Sequence, residues 1–234
     1  MRPNKRLGIT VFFPCFNDEH SIGKLVLKAD KILSDISPDY ELIVIDDGST
    51  DNSRAVLERT AKKIKHLKLI FHGKNRGYGG VLKSGFETAT KELVFYTDGD
   101  GQYDVGELPL MVELMTDDVD FINGIKMERK DYVYRIIVGN LYNFLVRWVF
   151  VLPIFDVDCD FRLIRRSLLK KISLSSSSGA VCVELVKGAQ LNGGRFRQIS
   201  VHHYERAHGT SQFFKPFRIL HTFWELLVLR LRLV

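Results

Sequence analysis

Two short apolar runs in this chain each end in a cluster of carboxylates, and that arrangement narrows the folds open to it. Residues 41–45 lead into Asp46-Asp47-Gly48-Ser49-Thr50-Asp51, and residues 93–97 lead into Asp98-Gly99-Asp100-Gly101-Gln102. Ionised carboxylates at the ends of buried strands are costly unless they bind something. Open α/β sheets bind ligands at the carboxyl ends of their strands. Two acids one residue apart can share a hard divalent ion with a diphosphate. The pattern points first to an enzyme handling a metal-bound nucleotide.

The first 125 residues alternate two periodicities. Residues 7–13, 40–45, 67–71, 92–97 and 120–125 read as short buried strands. Residues 18–33 place Ile22, Leu25, Val26, Ala29, Ile32 and Leu33 on one face of a helix. Residues 50–65 do the same with Val56, Leu57, Thr60, Ala61 and Ile64 after an N-cap-type start. Residues 80–90 and 105–115 are two further helices. Strands alternating with helices predict an α/β fold whose mostly parallel sheet is covered on both faces. The second half is less regular. It reads as helix over 131–151, strand over 161–164, a bend at Ser175-Ser176-Ser177-Ser178-Gly179, helix over 180–191 and extended chain over 196–204. Neither an internal repeat nor a break in composition demands a second domain. The expected division is a body over 1–212 and a C-terminal amphipathic helix over 213–234.

Hydrophobic residues make up 45% and charged residues 26% of the 234, enough for a sizeable core. The net charge of +6 hides an asymmetry. Residues 1–125 carry 16 Lys/Arg against 20 Asp/Glu (net −4), and residues 126–234 carry 18 against 8 (net +10). A basic half suggests phosphate, a membrane surface or nucleic acid as partner. No nucleic-acid-binding module is recognisable, so nucleic acid is not expected. Cys15, Cys159 and Cys182 are odd in number and widely spaced, with no Cys-x-x-Cys. That argues for buried free thiols in a reducing compartment rather than a disulfide framework or a zinc site. The basic stretch 1–6 and the apolar run 7–13, stopped by Pro14, are too short for a signal peptide.

Residues 136–154 are apolar enough to raise the question of a membrane span, but they contain Asn140, Asn143 and Arg147. On a helical wheel Arg135, Gly139, Asn140, Asn143 and Arg147 form one polar stripe. Ile136, Ile137, Leu141, Phe144, Leu145, Trp148 and Val149 lie elsewhere. Near the C-terminus Lys215, Arg218, Thr222 and Glu225 form a second stripe, followed by Arg230 and Arg232. Basic amphipathic helices with Trp and Phe suit a membrane interface better than its interior.

Four motifs carry chemistry. Pro14-Cys15-Phe16-Asn17-Asp18-Glu19 offers an aromatic to stack on a base and carboxylates for a base edge, or merely favourable acids at a helix N-terminus. Asp46 and Asp47 stand where a carboxylate holds a base edge or ribose hydroxyls, while Ser49, Thr50 or Asp51 can serve as helix caps. Asn75-Arg76-Gly77-Tyr78-Gly79-Gly80 allows close backbone approach to a ligand or is a plain loop, with Lys83 one turn into the next helix. In Asp98-Gly99-Asp100-Gly101-Gln102 the glycines let both acids face one point.

In this order the motifs resemble those of a GT-A-fold, family-2 glycosyltransferase of the polyprenyl-phosphate (dolichyl-phosphate-mannose-synthase-like) branch, over residues 7 to about 218. Pro14 to Glu19 is similar to the opening Pro-x-Tyr-Asn-Glu motif, with Phe16 at the Tyr position and one extra residue. Asp46 and Asp47 match Asp-Asp-Gly-Ser-x-Asp, and Asn75, Gly77 and Gly80 match the segment before the helix. Asp98, Asp100 and Gln102 match the Asp-x-Asp motif and its neighbouring Gln. Lys126 sits where the branch often has Arg. The stretch from Asp156 to Arg162 resembles Asp-x-x-x-Gly-Phe-Arg, with Asp160 in place of the Gly. Glu184 matches a helix acid. Arg206 to Ser211 matches Arg-x-x-Gly-x-Ser, and Gln212 replaces a Lys, with Lys215 and Arg218 nearby.

The resemblance implies inverting transfer of a sugar from a GDP- or UDP-linked donor to a polyprenyl phosphate by a peripheral enzyme on the cytoplasmic face of a membrane. It implies a GT-A catalytic domain over 1–212 with an interfacial helix at about 131–152. Nucleotide-sugar contacts fall to Pro14, Phe16, Glu19, Asp46, Asp47, Asn75, Gly77, Lys83, Asp98 and Lys126. Mg2+ or Mn2+ falls to Asp98, Asp100 and Gln102, and the acceptor phosphate to Arg135, Arg206, Ser211 and Lys215. Asp100, Arg135, Arg206 and Ser211 are the expected catalytic residues. The base, the sugar and the presence of a membrane-spanning partner protein stay open. So do two alternatives: a different acceptor, and a non-catalytic nucleotide-binding protein at a membrane.

Overall fold

The computed structural model of the chain describes residues 7–127, 133–206 and 216–233. Seven strands make one sheet: β1 (Ile9–Cys15), β2 (Tyr40–Asp46), β3 (Leu67–Phe71), β4 (Leu93–Thr97), β5 (Phe121–Met127), β6 (Phe161–Arg165) and β7 (Phe196–His202). Their spatial order is β3-β2-β1-β4-β6-β5-β7. The pairs β1–β2, β1–β4, β2–β3 and β5–β7 are parallel, and β6 runs antiparallel to both β4 and β5. The strands were legible because strands covered on both faces read as nearly continuous apolar runs. All seven residues of β1 and all five of β4 are buried.

The helices are α1 (Ile22–Ile36), α2 (Ser53–Ala61), α3 (Gly77–Thr88), α4 (Leu108–Leu114), α5 (Val133–Phe150), α6 (Arg166–Leu169), α7 (Ala180–Leu191) and α8 (Pro216–Arg232). Alternation along each strand sorts them into two layers. Ile9, Val11 and Phe13 of β1 point into a core shared with Leu25, Val26, Leu57 and Met111 of α1, α2 and α4. Phe12 points the other way, into a core shared with Leu82, Val146, Val183, Leu226 and Leu229 of α3, α5, α7 and α8. The helix expected over 105–115 is broken into a 3-10 turn, Val105–Glu107, and α4, with Pro109 in the first turn of α4. The short α6 carries no sequence signal of its own. Cys15, Cys159 and Cys182 are free and buried.

Thr222, Leu226 and Leu229 of α8 are buried against the body, and Leu226 and Leu229 belong to the second core. The polar stripes of α5 and α8 split: Asn143, Thr222 and Glu225 turn inward, and Asn140 and Arg218 stay exposed. Asn143 of α5 is buried and bonds Asp156 and the Val157 N–H, and Glu225 of α8 bonds the serine loop. The outward faces are mostly apolar. Trp148 is 76% exposed and Phe217 80%, joined by Leu141, Phe144, Leu220, Phe223 and Trp224. Among the described residues, no helix is long and apolar enough to cross a membrane.

Candidate active site

The acidic clusters lie at the carboxyl ends of β2 and β4, on either side of β1. Three consecutive N–H groups after β1 donate to side chains after β2: Asn17 to Ser49 at 2.9 Å, Asp18 to Ser53 at 2.9 Å and Glu19 to Asp51 at 3.1 Å. Asn17, in the left-handed region (φ 58°) that Asn tolerates, accepts from the Thr50 and Asp51 N–H groups in return. Glu19 accepts from the Asn52 N–H at 2.9 Å, and Asp51 also accepts from the Ser53 N–H at the start of α2. The Ser49-Thr50-Asp51 segment thus divides between loop stitching and helix capping. A cavity of about 310 Å3 opens here, lined by Asn17, Asp18, Glu19, His20, Ser21, Thr50 and Asp51.

Asp46 and Asp47 have different roles. Asp47 is saturated: it accepts from His72 at 2.7 Å, the Arg76 N–H at 2.8 Å and the Gly77 N–H at 3.0 Å. His72 in turn bonds the Ser84 hydroxyl at 2.9 Å. Asp47 therefore organises the start of α3 from within, and Asn75 supports it by donating to its carbonyl at 3.2 Å. Asp46 is 4% exposed; its Oδ2 accepts from the Ser49 N–H at 3.3 Å, while its Oδ1 is buried with no partner. A buried acceptor without a donor is rare and costly.

Around the second cluster, Asp98 accepts from the Tyr78 hydroxyl at 3.0 Å. Burial, followed by the negative charges of Asp160 and Asp100, pushes its carboxyl well above the usual range, against the pull of Tyr78 and Arg206. Burial likewise pushes Asp18 up to about 6, with Asp100 adding to the rise. Asp160, standing where the resemblance expects Gly, pairs with Arg162 at 3.5 Å, and burial is the main cause of its raised pKa. The segment after β7 returns along this cluster. Tyr204 donates its N–H to the Gln102 carbonyl at 2.8 Å, and the Gln102 side chain donates to the Tyr204 carbonyl at 3.0 Å. That return lays the Arg206 guanidinium on Asp100 and within 3.4 Å of the Gln102 side-chain oxygen.

This donor set fits a hard divalent cation. It offers carboxylate and amide oxygens, and among the described residues the Tyr78 hydroxyl and the Arg206 guanidinium favour the charged form of Asp98. Among the described residues no cluster of three or more His, Cys, Asp or Glu forms a cage. Magnesium commonly relies on one or two carboxylates with substrate phosphates completing its shell.

Pro14, Phe16, Glu19, Asp46, Asp47, Asn75, Gly77, Asp98, Asp100, Gln102 and Arg206 come together at this edge. Two cations do not join them. Lys83 reaches back to the Ser175 carbonyl at 3.2 Å. Lys126, its side chain 4% exposed, bonds Asp158 at 3.1 Å and lies 3.7 Å from Asp156, so its charge is neutralised inside the fold. Arg135 lies in α5, but its side chain, like Ser211 and Lys215, lies outside the described residues. Sequence reasoning missed Tyr78, His72 and Ser84, which act on site residues through bonds that no spacing reveals.

A family model described as glycosyl transferase family 2 matches residues 10–173. Dodecaprenyl-phosphate galacturonate synthase of Rhizobium johnstonii is 29% identical over 226 residues, 93% of this chain and 66% of the relative. Undecaprenyl-phosphate 4-deoxy-4-formamido-L-arabinose transferase of Aeromonas hydrophila is 30% identical over 207 residues, 88% of this chain and 62% of the relative. The chain thus spans a little under two thirds of the length of these curated relatives. Among solved structures, glucosyl-3-phosphoglycerate synthase from Mycobacterium tuberculosis, with Mn2+ and uridine diphosphate, superposes with a TM-score of 0.67 at 17% identity, covering 96% of this chain and 80% of that one. A mannosyltransferase from Pyrobaculum calidifontis, with GDP-mannose and Mn2+, gives 0.64 at 19% identity, covering 97% and 66%. The expected GT-A fold stands, and the chain belongs to glycosyl transferase family 2.

Proposed function

We propose that this chain transfers a sugar from a nucleoside diphosphate to a polyprenyl phosphate at a membrane surface. The observation that carries the donor half is Asp46 Oδ1, a buried acceptor lacking a donor at the end of β2. A base edge presenting an N–H satisfies it. Phe16 and Pro14 flank the same strand ends, and Asn75 and Gly77 shape the turn beside them. The diphosphate then lies toward Asp98, Asp100 and Gln102, where a divalent cation, when bound, neutralises the charge developing on the leaving group. Arg206, already on Asp100, adds a guanidinium beside that charge.

The acceptor half rests on the named relatives, which act on dodecaprenyl or undecaprenyl phosphate, and on the outward apolar faces of α5 and α8. A helix with such a face beside basic residues suits the boundary of a lipid layer. A phosphate monoester is anionic near neutral pH. Its oxygen can attack the anomeric carbon while the bond to the diphosphate breaks, inverting that carbon without a protein base. Arg135, Arg206, Ser211 and Lys215 are the residues proposed to hold this phosphate, on the cytoplasmic face of the membrane. Conversion of Asp100→Ala tests the assignment: metal-dependent turnover should be lost while the fold persists. Turnover at the native rate would overturn it.

A further inference from the structure

The four-serine turn Ser175–Ser178 has a use the transfer reaction does not explain. Its four N–H groups and three of its hydroxyls face two carboxylates. Glu184 of α7 accepts from the Ser175 N–H at 2.9 Å, the Ser175 hydroxyl at 2.6 Å and the Ser176 N–H at 2.8 Å. Glu225 of α8 accepts from the Ser177 N–H and hydroxyl, each at 2.9 Å, and from the Ser178 N–H at 2.9 Å and hydroxyl at 2.6 Å. Desolvation opposes the Glu225 charge, yet the bonds from Ser178 and Ser177 hold its carboxyl below the usual range.

The Ser175 and Ser177 carbonyls face α3, while the Ser178 carbonyl takes the Val181 N–H at 3.2 Å and the Ser175 hydroxyl accepts from Arg232 at 2.7 Å. The Ser177 carbonyl takes the Gly79 N–H at 2.9 Å, and the Ser175 carbonyl takes Lys83. The contact is close enough to dictate sequence. A Cβ on Gly79 would collide with the Ser176 carbonyl, and one on Gly77, at φ 76°, would stand 2.5 Å from the Ser177 carbonyl. Between these glycines sits Tyr78, whose hydroxyl bonds Asp98. A continuous set of bonds therefore runs from α8 through the serine turn and the start of α3 to the Asp-x-Asp motif.

We propose that Glu225 is a positioning residue for the donor site: by clamping the serine turn, it makes α8, the helix with the apolar outer face, a structural part of the site that holds metal and diphosphate. The inference rests on the donor-site reading above. In Glu225→Gln the amide presents an NH2 to groups that are themselves donors, so part of the clamp is lost while size is kept.

The test has two readouts on the full chain. Hydrogen exchange of the amides at 77–80 should accelerate by about tenfold in Glu225→Gln, and the dissociation constant of UDP or GDP with Mn2+ should rise by about tenfold, as for loss of one good hydrogen bond. Combined with Tyr78→Phe, the effects on nucleotide binding should be less than additive. Ser178→Ala, a smaller change, should move both readouts in the same direction. Unchanged exchange at 77–80 in a folded Glu225→Gln protein overturns the clamp. Faster exchange with unchanged nucleotide affinity, or strict additivity with Tyr78→Phe, overturns its role in the site. If the native protein binds neither nucleotide with Mn2+, the donor-site reading itself fails, and the exchange readout still decides the clamp.

Discussion

Replacing Asp46 with Asn should weaken nucleotide binding without weakening the fold, and this opposition of signs distinguishes a ligand contact from a structural one. In the free protein Asp46 makes one weak bond, from the Ser49 N–H at 3.3 Å, and its Oδ1 is buried without a donor. Leaving such a group unsatisfied costs about 1–3 kcal/mol, more when it is charged. Removing the charge should therefore leave thermal stability unchanged or raise it. A hydrogen bond from a base N–H to a carboxylate is worth about 1.5–3 kcal/mol, so its loss should raise the dissociation constant roughly 10- to 150-fold. Calorimetric titration with UDP and GDP in Mn2+, beside thermal unfolding without ligand, reads both signs. Nucleotide affinity within about twofold of the native value, combined with a lowered melting temperature, would refute the reasoning and make Asp46 a structural acid.

Tyr78→Phe removes the hydroxyl that donates to Asp98, and metal–nucleotide affinity measured by titration should fall about tenfold with the fold intact. Asp18 supplies a pH test. Its carboxyl is pushed up to about 6, so the fold takes up a proton that the unfolded chain binds only near 3.8. Stability is favoured at low pH, falls as pH rises through that window, and carries the full cost, at most about 3 kcal/mol, above it. Asp18→Asn should thus raise the melting temperature at pH 7.5 in chelator and not at pH 4; an equal gain at both would sink the argument. Replacing Trp148 and Trp224 with Ser should reduce sedimentation with anionic vesicles at least about tenfold while nucleotide affinity stays unchanged.

The central strands β1 and β4 were read nearly residue for residue because their burial is two-sided. The sequence pattern of β3, residues 67–71, coincides with the observed strand, as does that of α7, residues 180–191. The helix expected from Gly80 begins instead at Gly77, because Asp47 captures the Arg76 and Gly77 N–H groups, a tertiary effect with no local signature. The carboxylates of the site were legible for a physical reason: charge at the end of an apolar run is conspicuous. The partners of Lys83 and Lys126, the Ser175 carbonyl and Asp156 with Asp158, leave no trace in the spacing of the motifs. Periodicity alone does not say which residues of α5 and α8 face the body. Asn143 and Glu225 turn inward to satisfy backbone groups, and the aromatic residues are left outside.

The most direct test of sugar transfer to a lipid phosphate is to incubate the purified protein with Mg2+ or Mn2+, a panel of GDP- and UDP-sugars and a short polyprenyl phosphate, and to follow sugar into the lipid. The account predicts one glycosyl polyprenyl phosphate, abolished by chelator and by Asp100→Ala. Transfer to a soluble acceptor, with the lipid phosphate neither glycosylated nor competing, would contradict it.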